Sequence, residues 1–478
     1  MRMELPENVS YIIGQLEEKG YEAYAVGGCV RDVMLGRQPE DWDITTSAKP
    51  MEIKEIFPKT IDTGIQHGTV TVMRNRVGYE VTTYRIDGEY EDGRHPREVC
   101  FTTNLKRDLE RRDFTINAMA YNASVGLVDE FGGVRDLQNK VIRCVGDAGL
   151  RFDEDALRML RAVRFSGQLG FEIEEKTRKA MEERAGHLEK ISAERIRVEL
   201  VKLLLSPGAQ KLRVAYETGM TRVFLPEFDA MMVCDQKNPH HIYSVGEHTL
   251  HAVTWMNDFF DTGKLEQTVW LSDFAKKRIP EICHKIDKKQ HTMLVVAMLL
   301  HDIAKPERMQ VDEEGIGHFY GHPEQGEEMA KQIMKRLTFD NETTEVVRRL
   351  IRWHDYRIEG GARAVRRAVS KIGADIIWLL FLVQYADVLA QNPDKMTDKL
   401  DRIDRVMELY QEIEQKGQAL TVRELAVNGG DLIREGVQPG PHMGEILNHL
   451  LEMVLEEPAN NNPKKLLEEV HKITGMGL

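Results

Sequence analysis

Two carboxylates, Asp41 and Asp43, stand two residues apart in the segment DWDITT. In an extended strand, residues i and i+2 project from one face, so these two point together while Trp42 points away. Paired carboxylates on one face repel unless a cation sits between them, and Mg²⁺ shared with substrate phosphates is the usual occupant. Glu80, in the run YEVTTYR, is the candidate third carboxylate from a neighbouring strand. Upstream, AYAVGGCVRDVMLG carries a strand through Gly27-Gly28 into a helix. Glycine at such a junction lets a triphosphate approach the backbone, and the unpaired N–H groups of a helix start favour anions. Gly28 is therefore a candidate phosphate contact, and Arg31 adds a bidentate partner for phosphate. An isolated pair of this kind is more often a turn cap beside a solvated residue. Behind a glycine-rich strand–helix element it reads as a metal-dependent phosphate site.

A second set lies further along the chain: His248, His301-Asp302, His322, His354 and Asp387, in the segments VGEHTLHAV, LLHDIAKP, YGHPEQG, RWHDY and QYADVLAQN. A single histidine on an apolar helix is more often a packed core residue than a ligand. His301-Asp302 follows MLVVAMLL, so adjacent ligands would emerge at the end of a buried helix. Imidazole with carboxylate suits Mn, Fe, Ni, Zn or Mg.

The elements that must position these groups change character along the chain. In the first 145 residues AYAVGG, DWDITT, TVTVM, YEVTTYR and GLVDE read as strands, while VRDVMLG and PMEIKEIF read as helices. Beyond residue 146 the apolar residues recur at helical spacing, as in DEDALRMLRAVRFSGQLG and SAERIRVELVKLLL. The fold class expected is α+β: a mixed α/β head over 1–145, an all-α neck over 146–230, a helical domain over 231–395 carrying the histidines, and a helical tail over 396–478. A chain of 478 residues exceeds one hydrophobic core and fits several domains. No apolar run approaches the ~20 residues of a membrane-spanning helix. The acidic N-terminus reads as an amphipathic helix and not a signal peptide. Five unpaired-looking cysteines suggest free thiols in a reducing cytoplasm. A net charge of −13 excludes nonspecific coating of nucleic acid but not a local basic track. Residues 151–213, with 14 Lys and Arg against 11 Asp and Glu, run against the global sign.

Five segments, GGCVRD, EDWDITT, RRDFTINAMA, EDALRMLRAVRF and ISAERI, occur in an order and spacing that resembles the bacterial class II CCA-adding enzymes, tRNA nucleotidyltransferases of the polymerase-β superfamily. The resemblance covers about residues 20–230 and returns near the C-terminus. It implies a polymerase-β-like nucleotidyltransferase head with Mg²⁺ on Asp41 and Asp43. Arg112, Asp113 and Asn117 would bind the ribose and triphosphate of CTP or ATP, with Arg161 and Arg164 also at the nucleotide. Asp155 and Arg158 would select the base in place of a template, oriented by Glu154. The chemistry is concrete: cytosine and adenine both show an amino donor beside a ring-nitrogen acceptor, which a carboxylate and a guanidinium read together, and uracil and guanine do not. At i,i+3 on a helix the same two residues would also pair with each other. The loop DGEYEDGRHPREVCFTT, with Asp87 and Arg94, is the element that in such enzymes helps switch from C to A. The histidine set resembles the HD-domain metal phosphohydrolases, with His248, His301, Asp302 and Asp387 as ligands, His322 and His354 for a second metal or a phosphate, and Lys305 on phosphate. The tail, with its turn near Met443-Gly444, resembles the part that grips the tRNA elbow.

The partners implied are the tRNA 3′ end with its acceptor and elbow, CTP and ATP, and no membrane. Rival readings are a poly(A) polymerase, disfavoured by TGIQHGTVTV and the lack of a long basic tail, a CC-only or A-only enzyme, and an HD-type signalling phosphohydrolase. A (p)ppGpp synthetase/hydrolase would carry its HD domain first. The sequence leaves open whether C, A or both are added, the native HD metal, and the oligomeric state.

Overall fold

Short β-branched runs make the strands of one seven-stranded mixed sheet. The computed structural model describes residues 3–87 and 99–475. Its strands are β1 (Ala23–Val26), β2 (Ile44–Thr46), β3 (Thr60–Gly64), β4 (Thr69–Arg74), β5 (Val77–Thr83), β8 (Met119–Asn122) and β9 (Gly126–Asp129), with β6 (Arg85–Asp87) and β7 (Val99–Phe101) paired apart from it. The sheet order is β3-β4-β5-β2-β1-β8-β9. Within this sheet β2 and β5 are the parallel pair, in the register Ile44↔Val81. β4 and β5 meet in a two-residue turn whose Asn75 and Arg76 have φ of 50° and 66°, the left-handed pair that a tight hairpin requires. β1 is buried throughout, so its C-terminal end delivers Gly27 and the helix Gly28–Met34 to a fixed place. The end of β6 and the loop beyond it, Arg94 included, lie at the edge of or outside the described residues.

The chain divides into two compact units, Met1–Pro226 and Glu227–Leu478. In the first, the helices Ala148–Glu154, Leu157–Leu169, Glu175–Arg184 and Ala193–Leu204 follow the sheet. The two-residue strands β10 (Val141–Ile142) and β11 (Glu172–Ile173) pair in parallel, so the region after residue 146 is not purely helical. The second unit is built on helices Val245–Asp258, Lys288–Leu300, Asn341–Trp353 and Ile377–Leu389. Lys288–Leu300 is buried on every side from Met293 onward, which is why its sequence shows no amphipathic stripe. A small hairpin, β12 (Gln310–Val311) with β13 (Gly317–His318), closes over a turn in which Asp312 Oδ1 accepts from Ile316 N–H, and this too departs from an all-α expectation. No single described helix is long and apolar enough to cross a membrane.

Candidate active site and metal centre

Asp41 and Asp43 lie on the extended segment that leads into β2, both with solvent access. Since Ile44 stands opposite Val81 in parallel register, Glu80 is the residue beside Asp43 on the same face. Their carboxyls act on one another. Crowding by the surrounding protein raises Asp43 above the ordinary carboxylate range, Arg112 pulls it down, and Asp41 lifts it again. Glu80 is raised first by the same crowding, then by Asp43 and Asp41. Three mutually repelling carboxylates offer the oxygen-only donor set that suits Mg²⁺.

Around them the head is wired by arginines. Arg112 packs under Gly27, and its neighbour Asp108 is fully buried, with Arg111 Nη2 at 2.9 Å, Arg112 Nη2 at 3.8 Å and the Thr45 hydroxyl at 3.0 Å. Burial alone would raise Asp108, but Arg111 and Arg112 hold it below the usual range. Arg31 donates to Asn117 Oδ1 at 2.8 Å, Asn117 donates to Asp113 Oδ1 at 3.1 Å, and Arg161 Nε donates to Asp113 Oδ2 at 2.8 Å. The relay ties the Gly27-Gly28 element to the helix Leu157–Leu169. Burial pushes Asp113 up, yet Arg161 and Asn117 bring it down to about 2. The guanidiniums of Arg31, Arg161 and Arg164 lie over the Phe165 ring, with Arg164 Cζ 4.0 Å from its centre. Arg164 Nε also pairs with buried Glu199 at 2.5 Å.

Asp155 and Arg158 do not lie on one continuous helix. Ala148–Glu154 ends there, Asp155 is extended at φ −147° and ψ 102°, and the next helix begins at Leu157. The i,i+3 ground for pairing them is thereby removed, and each has another partner. Asp155 Oδ2 lies 2.7 Å from Arg195 Nη2 while its Oδ1 accepts from Leu157 N–H. Arg158 Nη1 pairs with Glu154 at 2.5 Å, and its Nη2 donates to the carbonyl of Arg111 at 3.0 Å.

In the second unit His248, His301, Asp302, His322 and His354 are buried, and Asp387 is nearly so. His301 caps the helix Lys288–Leu300, and His354 caps Asn341–Trp353. His248 Nε2 is 3.3 Å from His301 Nε2, 3.0 Å from Asp387 Oδ1 and 3.6 Å from Asp302 Oδ2. His322 Nε2 is 3.3 Å from His354 Nε2 and 3.4 Å from Asp302 Oδ1. Each imidazole Nδ1 sits against a backbone carbonyl, those of Ala390, Met298, Phe319 and Ile351 in turn. A carbonyl only accepts, so each Nδ1 carries the proton and each Nε2 is the atom that faces inward, where it can give a lone pair to a cation. Facing lone pairs at 3.3 Å require a proton or a cation between them, and ligands about 2.1 Å from one metal stand roughly 3.0–3.5 Å apart. Among the described residues, the sets gathered within 4.8 Å are His248–His301–Asp302 and Asp302–His322–His354, sharing Asp302. Asp302 is held well below its ordinary range: burial opposes this, and His301 and Lys305 enforce it. Burial would lower His301, but Asp302 and Asp387 raise it to about 10.

Residues 23–143 match the poly(A) polymerase head domain, 170–232 an RNA- and SrmB-binding site of polymerase A, and 308–470 a tRNA nucleotidyltransferase second domain. A CCA-adding enzyme of Lactobacillus helveticus is 35% identical over 467 residues, 96% of each chain. The chain belongs to the CCA-adding enzymes. One from a Geobacillus strain is 51% identical over 228 residues, 48% of this chain and 55% of that one. The CCA-adding enzyme of Bacillus stearothermophilus, solved in complex with CTP, superposes with a TM-score of 0.66 at 28% identity, over 99% and 100% of the two chains. The protein is thus a tRNA nucleotidyltransferase with a polymerase-β-like head.

Within that family frame, three departures from the sequence reading are structural. Lys305, expected on phosphate, is buried with Nζ 2.7 Å from Asp302 and 3.0 Å from Gln236 Oε1, and so balances the cage. Asp108 and Glu199 stand outside the quoted motifs, and Arg195 lies in ISAERI with no role assigned to it from the sequence; what places them is Arg111, Arg112 and Thr45 for Asp108, Arg164 for Glu199 and Asp155 for Arg195. His241 was missed as well. Its ring stands edge-on to His248 at 5.1 Å, its buried Nδ1 has no hydrogen-bond partner, and burial followed by Lys305 pushes it down to about 2.

Proposed function

We propose that the chain adds CMP and AMP from CTP and ATP to the 3′ end of tRNA, completing and repairing CCA. The observation that carries this is the bond from Arg158 to the carbonyl of Arg111, which seats the base-selecting helix beside the segment holding Arg112. Asp41 and Asp43, with Glu80, would hold Mg²⁺, which when bound neutralises triphosphate oxygens and activates the tRNA 3′-hydroxyl for in-line displacement of pyrophosphate. Arg112, reaching toward Asp43, and Arg31 bind phosphate, while Asn117 and Asp113 orient the ribose. Arg161 and Arg164 hold Phe165 and the relay in place. Asp155, anchored by Arg195, accepts from the exocyclic amino group, and Arg158, held by Glu154, donates to the ring nitrogen. A four-part division at about residues 145, 230 and 395 suits this reading, with the tail on the tRNA elbow and the body along the acceptor. The test is to supply tRNAs ending before C, after C and after CC with each labelled triphosphate separately. Ordered addition of C, C and A supports the reading; addition of one base only overturns it.

The imidazole cage favours a second activity. His248, His301, Asp302 and Asp387 would hold one divalent metal (Mn, Fe, Ni, Zn or Mg), and His322 and His354 a second through the other Asp302 oxygen. Such a centre, when loaded, supplies an activated water for phosphomonoesters or 2′,3′-cyclic phosphates. Metal-dependent release of phosphate by the purified protein, lost on chelation, is the expected result.

A further inference from the structure

The cage opens into a cleft lined by His354 and Asp387 together with Arg357, Lys399 and Arg402. Arg357 is exposed. Lys399 donates to the Gln391 side chain, whose amide donates to both Asp387 oxygens at 3.2 Å, so the basic wall is bonded to the cage itself. Tyr356 lines this cleft and also the next one, whose wall carries Arg363, Arg367 and Lys371. These three stand at i, i+4 and i+8 on the helix Ala362–Ile372 and form one basic stripe. The ring of Tyr356, which both clefts share, meets that of Trp353 at 5.2 Å and 83°, and Lys371 Nζ lies 5.0 Å from the Trp353 ring and 5.5 Å from that of Tyr356. Aromatic rings interleaved with cations are what unpaired bases and their backbone phosphates bind. A free phosphate ester would use the cage and its nearest cations, and would leave this extension idle. Arg363 and Arg367 pair with Glu456 and Glu452, but these pairs are exposed and exchange readily for phosphate.

We propose that Trp353, Tyr356 and Lys371 form a track for the end of a single-stranded nucleic acid, which makes a strand-terminal phosphate the preferred substrate of the cage. Tyr356 stacks the penultimate base, Lys371 meets the following backbone phosphate, and Arg357 guides the terminal phosphate past Asp387. The substrate preference rests on the phosphohydrolase reading; the binding track does not.

The experiment uses the full chain loaded with Mn²⁺, and compares a 3′-phosphorylated trinucleotide with p-nitrophenyl phosphate. The trinucleotide should have the higher kcat/KM by at least about tenfold, and Tyr356→Ala should lower the ratio of the two values by roughly that factor. Tyr356→Phe, which keeps the ring, should restore it. An equal loss on both substrates, or no preference in the wild type, overturns the proposal. In parallel, a trinucleotide carrying 4-thiouridine is photocrosslinked and the attached peptide mapped. Attachment at Trp353–Arg357 without any hydrolysis supports the track and removes the phosphohydrolase reading. Attachment only elsewhere removes the track.

Discussion

Gly27 and Arg112 are packed so closely that a side-chain carbon at position 27 would stand 2.8 Å from Arg112 Nη1. The backbone there also has φ +82°, which L-residues avoid. Gly27→Ala must therefore strain the turn or displace the guanidinium that faces Asp43. Displacement by about 1 Å costs on the order of 10²-fold in rate. The expected outcome is a fall in kcat/KM of that size for both CTP and ATP, with an unchanged circular dichroism spectrum. Near-wild-type turnover would show that Arg112 does not need its place.

Asp41→Ala removes one of three carboxylates on one face and should cost about 10³-fold in addition of both nucleotides. Because Asp41 raises Asp43 and Glu80, its removal should also let those two ionise more readily. A steady-state assay with excess Mg²⁺ checks this; selective loss of A addition alone would contradict a shared metal site.

Much of this site was legible because its chemistry is local. Gly27 and Gly28 join β1 to the helix that follows it, Asp41 and Asp43 lead into β2, which pairs with β1, and the β-branched runs around them formed the strands expected. β3 was not legible, since Thr60–Gly64 is a polar, mostly exposed edge strand. The break at Asp155 was hidden for a different reason. EDALRML keeps helical spacing and has no glycine or proline, and the extended Asp155 is held by Leu157 N–H and by an arginine distant in sequence, Arg195. The histidine cage was readable as a list of ligands, but its sharing of Asp302 between two sets depends on four helices packing together.

Asp155→Ala should relax base choice more than it weakens triphosphate binding. A polar site rejects the wrong base because its buried groups would go unpaired, and removing the acceptor removes that penalty. Misincorporation of UMP relative to CMP should rise roughly ten- to a hundredfold. Arg195→Ala, which takes away only the anchor of Asp155, should move selectivity the same way by a smaller factor. Unaltered discrimination against UTP in both variants would remove the template role.

Asp113 ties pH to stability. Its folded pKa, about 2, lies below the ordinary 3.8, so the ionised form is stabilised by folding. That contribution, about 2 kcal/mol, is complete above the ordinary pKa and is lost as pH falls from about 4 through 2. Asp113→Asn should therefore destabilise the protein at pH 7, and the gap from wild type should narrow below pH 4. Urea titrations at pH 7, 5, 4 and 3 measure it. A gap that is constant with pH would mean that shape, not charge, holds Arg161.

His301→Ala takes one imidazole from the cage and leaves Asp302 and Asp387 without the ring nitrogen that faces them. Bound metal, measured by mass spectrometry after gel filtration, should fall, and any metal-dependent phosphate release should fall with it by about 10³-fold. The head residues Asp41, Asp43 and Arg112 belong to the other compact unit, so CCA addition should stay within a factor of about two. Chelation followed by Mg²⁺ alone is the companion test: nucleotide addition should return, while phosphate release returns only with the metal the cage prefers. Joint loss of both activities in His301→Ala, with the fold intact, would mean that the cage serves nucleotide addition and has no separate chemistry.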